Sequence, residues 1–292
     1  MLSKRAGLWL GLIATLGLLS LGSSCSGNKT ETNDNAGDQG TTEWKAKGDE
    51  GSISGTVAFT GTAAENPKID TSADAQCTSK SPNLTAETWV VKDGKVANTF
   101  VYIKDGTLAD NKKIGDYTFP AATGAATLDQ NGCHYKPHVM GVMAKQEINI
   151  TNSDPTTHNI HFLQGKNPDW NQSQPNGAAP LKHSLNTAEQ MAQVKCNQHP
   201  WMKAFIGVMK HPFFAVSAED GTFKIAGVPP GKYTVVAWHE GATGPGTEKT
   251  MEVTVPAKGS ATADFSFGAS AGLQGRPSSL PMVALEFPML HK

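Results

Sequence analysis

The stretch MAQVKCNQHPWMKAFIGVM, residues 191–209, places Cys196, His199 and Met202 in the spacing Cys-x2-His-x2-Met. A thiolate, an imidazole and a thioether on one tight loop form a soft ligand set that suits a transition metal. The alternative is that Cys196 is a small buried hydrophobe and Met202 fills the core. A complete site would need a further ligand from elsewhere in the chain and a scaffold that holds this loop.

A second run, YKPHVMGVMAKQEINITNSDPTTHNIHF at residues 135–162, supplies a candidate. The loop CNQHPWM together with this run resembles the cupredoxins, and its spacing is most similar to that of amicyanins. In that family a second His, followed by Asn, precedes the ligand loop, and His158-Asn159 fits that place. The resemblance implies a Greek-key β-sandwich that binds one copper ion. It implies His158, Cys196 and His199 as strong ligands and Met202 as a weak axial ligand.

The resemblance also gives Asn159 a role, because its side chain would bond to the loop that carries Cys196 and fix the ligands. The alternative is a simple turn residue. His161 is the competing upstream ligand. Alternate residues of a strand share a face, and His158 shares its face with Ile160 and Phe162. We therefore predict that His158 points into the sandwich and that His161 does not.

The remaining histidines are weaker candidates. His134 directly follows Cys133, and His138 lies four residues further on. We interpret both as ordinary strand or loop residues. No Cys-x2-Cys-His run is present in the sequence, which argues against covalent haem. The other histidines have no partner at metal-ligand spacing: His183, His211, His239 and His291.

Composition favours a β protein. The chain has 292 residues, 38% of them hydrophobic and 17% charged, which is enough to bury a core. Its 30 glycines and 17 prolines, with few helical patterns, indicate many turns. The formal net charge of -1 provides no basic excess to neutralise phosphates, so nucleic acid is not an expected partner.

The N-terminus is typical of an export signal. Residues 1–24 combine Lys4 and Arg5 with a charge-free apolar run and small residues before Cys25. This resembles a bacterial lipoprotein signal with lipidation of Cys25. Leu21 lies one position earlier than the leucine of the usual pattern, and Gly22 occupies that position. Ordinary secretion is the alternative. Both interpretations export the protein, to the periplasmic side of a membrane or to the cell surface.

Export changes how the other cysteines are interpreted, because an oxidising compartment favours disulfides. With Cys25 lipidated, Cys77, Cys133 and Cys196 remain, and three thiols cannot all pair. Cys196 alone lies in a ligand motif, so we predict a disulfide between Cys77 and Cys133. The alternative leaves both reduced.

The ends of the chain are predicted to lie outside the folded body. Residues 26–50 are polar and low in aliphatic side chains, which predicts a flexible tether after Cys25. Residues 269–292 contain three prolines and no periodicity, and we treat them as a tail of unknown role.

A second domain is indicated on either side of the copper loop. The run DGTFKIAGVPPGKYTV at residues 220–235 resembles carboxypeptidase regulatory-like domains, which are transthyretin-like β-sandwiches. Their opening strand resembles GSISGTV, which lies at residues 51–57. We therefore predict a split sandwich, 51–103 with 213–268, into which the cupredoxin-like domain 104–212 is inserted. Two sandwiches in series are the alternative.

Together these features predict an exported, membrane-anchored blue copper protein that carries single electrons. Its partners would be a cytochrome or a membrane or periplasmic oxidoreductase. Two alternatives remain: a copper-binding or copper-delivery protein without a redox role, and a structural or carbohydrate-associated module. An enzyme is not expected, because no second histidine cluster stands out in the sequence.

Overall fold

The computed structural model describes residues 41–63, 65–242 and 248–268. The predicted signal at 1–24, Cys25 and the tail at 269–292 lie outside the described residues. The described chain is nearly all β, with one short α-helix, α1 (Ala75–Lys80), and one 3-10 helix, Ile114–Asp116. The predicted mainly-β sandwich class is confirmed. Within these ranges, no helix is long and apolar enough to cross a membrane.

Twenty-one strands are described, and a long segment that contains α1 separates β2 from β3. In chain order they are β1 (Thr42–Glu43), β2 (Gly51–Thr60), β3 (Val91–Lys92), β4 (Lys95–Val96), β5 (Phe100–Leu108), β6 (Tyr117–Thr118), β7 (Ala126–Gln130), β8 (Tyr135–Lys136), β9 (Val139–Met143), β10 (Glu147–Asn152), β11 (His158–Phe162), β12 (Trp170–Gln174), β13 (Leu181–Ser184), β14 (Glu189–Lys195), β15 (Lys203–Met209), β16 (Phe214–Val216), β17 (Thr222–Val228), β18 (Gly231–Trp238), β19 (Glu248–Val255), β20 (Ser260–Thr262) and β21 (Phe265–Gly268).

Strands β7 to β15 form what we call the central sandwich. One sheet has the order β13-β10-β7-β8, and the other has the order β12-β11-β14-β15-β9. Alternate side chains of both sheets point inward and form the core between them. The largest of the fully buried side chains in this core are Leu128, Tyr135, Ile148, Ile150, Ile160 and Phe162.

The remaining long strands form a flanking sandwich. One sheet has the order β16-β5-β18-β19, and the other has β17-β2-β4-β3, with β20 and β21 also pairing with β2. Strand β2 therefore pairs with segments that follow it by more than 160 residues, such as Thr56 with Thr222. The flanking core includes Ile53, Val57, Ile103, Phe213, Phe223, Tyr233, Val235 and Phe267.

The sequence segments 51–103 and 213–268 thus pair in common sheets, with the central sandwich between them in the chain. Strand β5 runs through the predicted boundary at 103/104, so residues 104–108 belong to the flanking sheet. The sequence of residues 61–88 shows no regular pattern, but the structure contains α1 there and an isolated bridge between Lys68 and Thr85. The division of the chain into an inserted and a split domain stays a prediction.

Two predictions about local structure are wrong. The sequence pattern predicts two strands, 89–91 and 99–103, across the turn Asp93-Gly94. In the structure this turn joins β3 to β4, and β5 pairs with β16 and β18 instead. The predicted tether ends earlier than Glu50, because β1 pairs with β6 and Trp44 packs on Phe119 at a ring-centroid distance of 5.5 Å. One aromatic side chain in an otherwise polar run anchors residues 41–50 to the body.

The two sandwiches meet through a small aromatic cluster. Phe100, Tyr102, Val139 and Val236 are buried there, with Phe205, Phe214 and Trp238 packed around them. Two glycines allow this close approach. A Cβ at Gly207 would collide with the ring of Phe100, and a Cβ at Gly141 would collide with the ring of Phe214.

The predicted disulfide is present, because Cys77 and Cys133 are bonded to each other. It joins α1 to the turn between β7 and β8. Cys196 is a free, buried cysteine.

The glycine at 207 gives a direct test of the interface between the sandwiches. Gly207→Ala should lower the free energy of unfolding by about 1–3 kcal/mol, because the added methyl group overpacks against the fully buried Phe100. Denaturant unfolding measures this. The matched control is Gly115→Ala, whose Cβ would have no heavy atom within 4 Å. Equal effects of the two substitutions would contradict the packing described here.

A second test concerns the disulfide. Its cysteines are 56 residues apart, so reduction releases a long loop and should cost about 2–5 kcal/mol of unfolding free energy. Denaturant unfolding of the metal-free protein, with and without a reductant, measures the cost. A Cys77→Ser/Cys133→Ser protein should not respond to the reductant. If the reductant lowers the unfolding free energy of that variant by the same amount, the lost stability does not come from the Cys77–Cys133 bond.

Candidate metal centre

Three donor atoms meet at one end of the central sandwich. His158, Cys196 and His199 each offer an atom, and these atoms all lie within 4.8 Å of one another. The Nδ1 atoms of the two histidines are 2.9 Å apart, and Cys196 Sγ lies 3.6 Å from His199 Nδ1. All three side chains are buried. The structure therefore brings together the three residues predicted as strong copper ligands.

The strand ends explain this convergence. His158 is the first residue of β11, and Cys196 directly follows the last residue of β14. These two antiparallel strands pair side by side, with His161 opposite Lys195. The turn after Cys196 is closed by bonds from Met202 N to His199 O and from Cys196 N to Met202 O. The tight turn brings His199 back over the sulfur.

The outer nitrogen of each imidazole contacts a carboxylate. His158 Nε2 lies 3.0 Å from Asp154 Oδ2, and His199 Nε2 lies 3.0 Å from Asp74 Oδ2. A carboxylate at Nε2 places the hydrogen there and leaves Nδ1 with its lone pair. Both lone pairs then point at the same buried volume as the sulfur. Without a metal, the two Nδ1 atoms can lie this close only if they share a proton. A cation bound between them would remove this requirement.

Asp154 is fully buried and accepts four hydrogen bonds. Oδ1 accepts from Gly132 N at 2.7 Å and Lys80 Nζ at 2.8 Å, while Oδ2 accepts from Cys133 N at 2.7 Å and His158 Nε2 at 3.0 Å. Burial alone would raise the pKa of Asp154, but the bonds from His158, Lys80 and the two amides outweigh it and hold the pKa far below its usual value. The same carboxylate raises the pKa of His158 against the opposing effect of burial.

Asp74 plays the equivalent part for His199. It is the N-cap of α1, accepts from the amides of Gln76 and Cys77, and accepts from Thr156 Oγ1 at 2.7 Å. Burial would raise the pKa of Asp74, but the bonds from Thr156, His199 and the amides lower it to about 2. Asp74 is therefore a carboxylate at neutral pH.

The sulfur of Cys196 is held by Asn159. The Asn159 N–H points at Sγ at 3.5 Å, and the Asn159 Oδ1 lies 3.2 Å from Sγ and accepts from Asn197 N at 2.7 Å. Burial would raise the pKa of the thiol, but bonds with His158, the Asn159 amide and His199 lower it to about 6. Asn159 thus bonds to the loop of Cys196, where the sequence analysis placed it.

Met202 and Trp201 complete the loop. Met202 is fully buried in the core cluster that contains Cys196. Trp201 is half-buried, donates from Nε1 to Cys133 O at 3.1 Å, and lies edge-on to the His199 ring at 5.2 Å. The sequence leaves two roles open for Trp201, an exposed docking residue or a core plug, and these contacts fit a plug better.

His161 lies apart from the three donors. Its ring contacts Asn197 Oδ1 at 3.0 Å and Asp169 Oδ2 at 2.8 Å, on the opposite face of β11 from His158. The prediction from strand alternation, that His158 points into the sandwich and His161 does not, agrees with the structure. Sequence reasoning missed Asp154 and Asp74. Asp154 gives a weak signal, four residues before His158 in the run SDPTTHN; Asp74 gives none.

Comparison with known proteins gives partial matches. A family model described as polysaccharide lyase family 4, domain II, matches residues 175–263, less than half of the chain. This match spans parts of both sandwiches. No curated protein matches the chain.

Several solved structures resemble part of the chain. A purple cupredoxin from Nitrosopumilus maritimus is 19% identical over 28% of this chain and 98% of its own, with a TM-score of 0.25. Amicyanin from Paracoccus versutus is 15% identical over 37% of this chain and 96% of its own, with a TM-score of 0.27. A copper-containing nitrite reductase from Thermus scotoductus is 18% identical over 30% of this chain and 25% of its own, with a TM-score of 0.24. TM-scores this low do not assign a function to the chain.

The upstream ligand can be tested with two histidine substitutions. His158→Ala should abolish or severely alter the visible spectrum of the copper-loaded protein, because it removes one of the three converging donors. His161→Ala, on the same strand but bonded to Asn197 and Asp169, should leave the spectrum nearly intact. The opposite result would make His161 the ligand.

Proposed function

We propose that this protein is a type 1 (blue) copper protein that carries single electrons between redox partners. The observation that supports it is the buried convergence of Cys196 Sγ with the Nδ1 atoms of His158 and His199. Two imidazoles and a thiolate, with a methionine on the same loop, form the donor set of such sites. Copper bound there would supply one-electron chemistry.

The surrounding residues prepare these donors. Asp154 and Asp74 fix the orientation of the two imidazoles, and Asn159 holds the sulfur between its own amide and the ligand loop. Groups that are already held need little movement when the metal changes its charge. This supports electron transfer, which is fast when reorganisation is small, and it requires no substrate pocket.

The burial of the three donor side chains favours a protein that keeps its metal over one that delivers it to a partner. The exposed fractions are 0% for His158, 1% for Cys196 and 4% for His199. A delivery protein has to hand its ion to a partner, which is easier from exposed ligands. We therefore place the carrier role ahead of copper delivery, and we propose a carrier rather than an enzyme.

We also propose that the protein works outside the cytoplasm. The Cys77–Cys133 disulfide supports an oxidising compartment. A signal at 1–24 and lipidation of Cys25 would place it on the periplasmic side of a membrane or at the cell surface. Its partners would then be a cytochrome or a membrane or periplasmic oxidoreductase.

Cys196→Ala tests the proposal most simply. The intense visible band of a blue copper site is a thiolate-to-copper transition, so removing the only free thiol among the described residues should abolish it. Visible absorption of the copper-loaded variant measures this, with His161→Ala as the coloured control. Persistent blue colour in Cys196→Ala would refute the assignment.

Met202→Gln tests the axial position. The variant should still bind copper and stay coloured, since an axial methionine bonds weakly. Its reduction potential should fall, because an amide oxygen is a harder ligand and favours Cu(II). Redox titration followed by visible absorption measures the change. An unchanged or raised potential would argue against Met202 as the axial ligand.

A further inference from the structure

Each imidazole of the candidate centre has a carboxylate on its far side. Asp154 Oδ2 lies 3.0 Å from Nε2 of His158, and Asp74 Oδ2 lies 3.0 Å from Nε2 of His199. The inner nitrogens, Nδ1, are the atoms that converge with the sulfur of Cys196. One imidazole ring therefore separates each carboxylate from the atoms proposed to hold copper.

Both carboxylates are shielded from water. The side chain of Asp154 is 0% exposed and that of Asp74 is 18% exposed. Charges interact more strongly where water is excluded, because the effective dielectric constant is lower there. Dissolved salt also screens buried charges much less than charges on the surface. The two carboxylates are therefore placed to act on the charge of a bound metal ion.

The two carboxylates differ in their own partners. Asp154 forms a salt bridge with Lys80, whose Nζ lies 2.8 Å from Asp154 Oδ1 and also donates to Ser153 O at 2.8 Å. Among the described residues, Asp74 forms no salt bridge with a lysine or arginine, and its partners besides the imidazole are amide and hydroxyl groups. The charge of Asp154 is thus partly cancelled by a cation, whereas the charge of Asp74 is not.

A negative charge near a metal ion favours the oxidation state with the higher positive charge. Copper in an electron carrier alternates between Cu(I) and Cu(II), so a carboxylate behind a ligand stabilises Cu(II) and lowers the reduction potential. The hydrogen bond from the ring N–H to the carboxylate acts in the same direction, because it makes the imidazole a more basic ligand. A lysine close to the carboxylate has the opposite effect.

We propose that Asp74, Asp154 and Lys80 set the reduction potential of the centre, and that Asp74 has the largest effect. This inference rests on the proposed copper site. Two anions face one cation, so the net effect of the three charges is to stabilise Cu(II) and lower the potential. Three residues that do not bind the metal would then decide the class of redox partner, which is a strongly reducing donor and an acceptor that need be only weakly oxidising.

Asp74→Asn in the full chain is the first test, because asparagine can still cap α1 but carries no charge. Affinities for Cu(II) and for Cu(I) are measured separately, by competition with chelators of known affinity, and the potential is measured by redox titration. Cu(II) should bind about 10–100-fold more weakly than to the parent, with little change for Cu(I). A tenfold loss confined to Cu(II) raises the potential by about 59 mV.

Further variants separate charge from structure. Lys80→Met keeps the aliphatic stem and removes the cation, so it should lower the potential, a direction opposite to that of Asp74→Asn. Asp154→Asn should raise the potential by less than Asp74→Asn does. Asp169→Asn is the matched control, since this carboxylate contacts Nε2 of His161 at 2.8 Å, on a ring outside the donor set, and is 53% exposed. Its potential should equal that of the parent.

Circular dichroism confirms folding of each variant. The parent potential in both Asp74→Asn and Lys80→Met, with the visible band retained, would overturn this proposal and leave the proposed function intact. A shift of the same size in Asp169→Asn would also overturn it. If the parent binds copper without intense colour, the proposed function fails, and the separate Cu(II) and Cu(I) affinities still decide whether these charges select the oxidation state.

Discussion

The buried carboxylate of Asp154 links the candidate metal centre to the rest of the fold. An unpaired charge at this depth would cost several kcal/mol, and the four hydrogen bonds that Asp154 accepts offset this cost. Those contacts reach α1 through Lys80, the disulfide turn through Gly132 and Cys133, and the candidate metal centre through His158. One residue therefore ties the orientation of an imidazole to the covalent cross-link between α1 and the central sandwich.

The segment that carries α1 covers the centre as well as bracing it. Asp74 contacts His199 and Thr156, while Cys77, three residues later, is bonded to Cys133. The disulfide thus keeps the carboxylate of Asp74 at His199 Nε2. A short helix from outside the central sandwich thus positions His199, a proposed ligand on the loop between β14 and β15.

Local patterns were enough to predict much of this arrangement. The mainly-β class, the Cys77–Cys133 bond and the inward direction of His158 follow from turn residues, cysteine arithmetic and strand alternation. Asp74 was not predicted, because it lies in a segment without periodicity and reaches His199 only through the tertiary fold. Trp44 was missed since one aromatic residue hardly changes the composition of a polar run.

The central claim is that Cys196 and two histidine Nδ1 atoms bind copper in a single buried centre. Electron paramagnetic resonance of the intact protein loaded with one equivalent of Cu(II) tests it most directly, because a thiolate ligand draws unpaired spin density away from the metal. The account predicts an axial or mildly rhombic spectrum with narrow copper hyperfine splitting. A spectrum with the wide splitting of copper bound only by nitrogen and oxygen would contradict it.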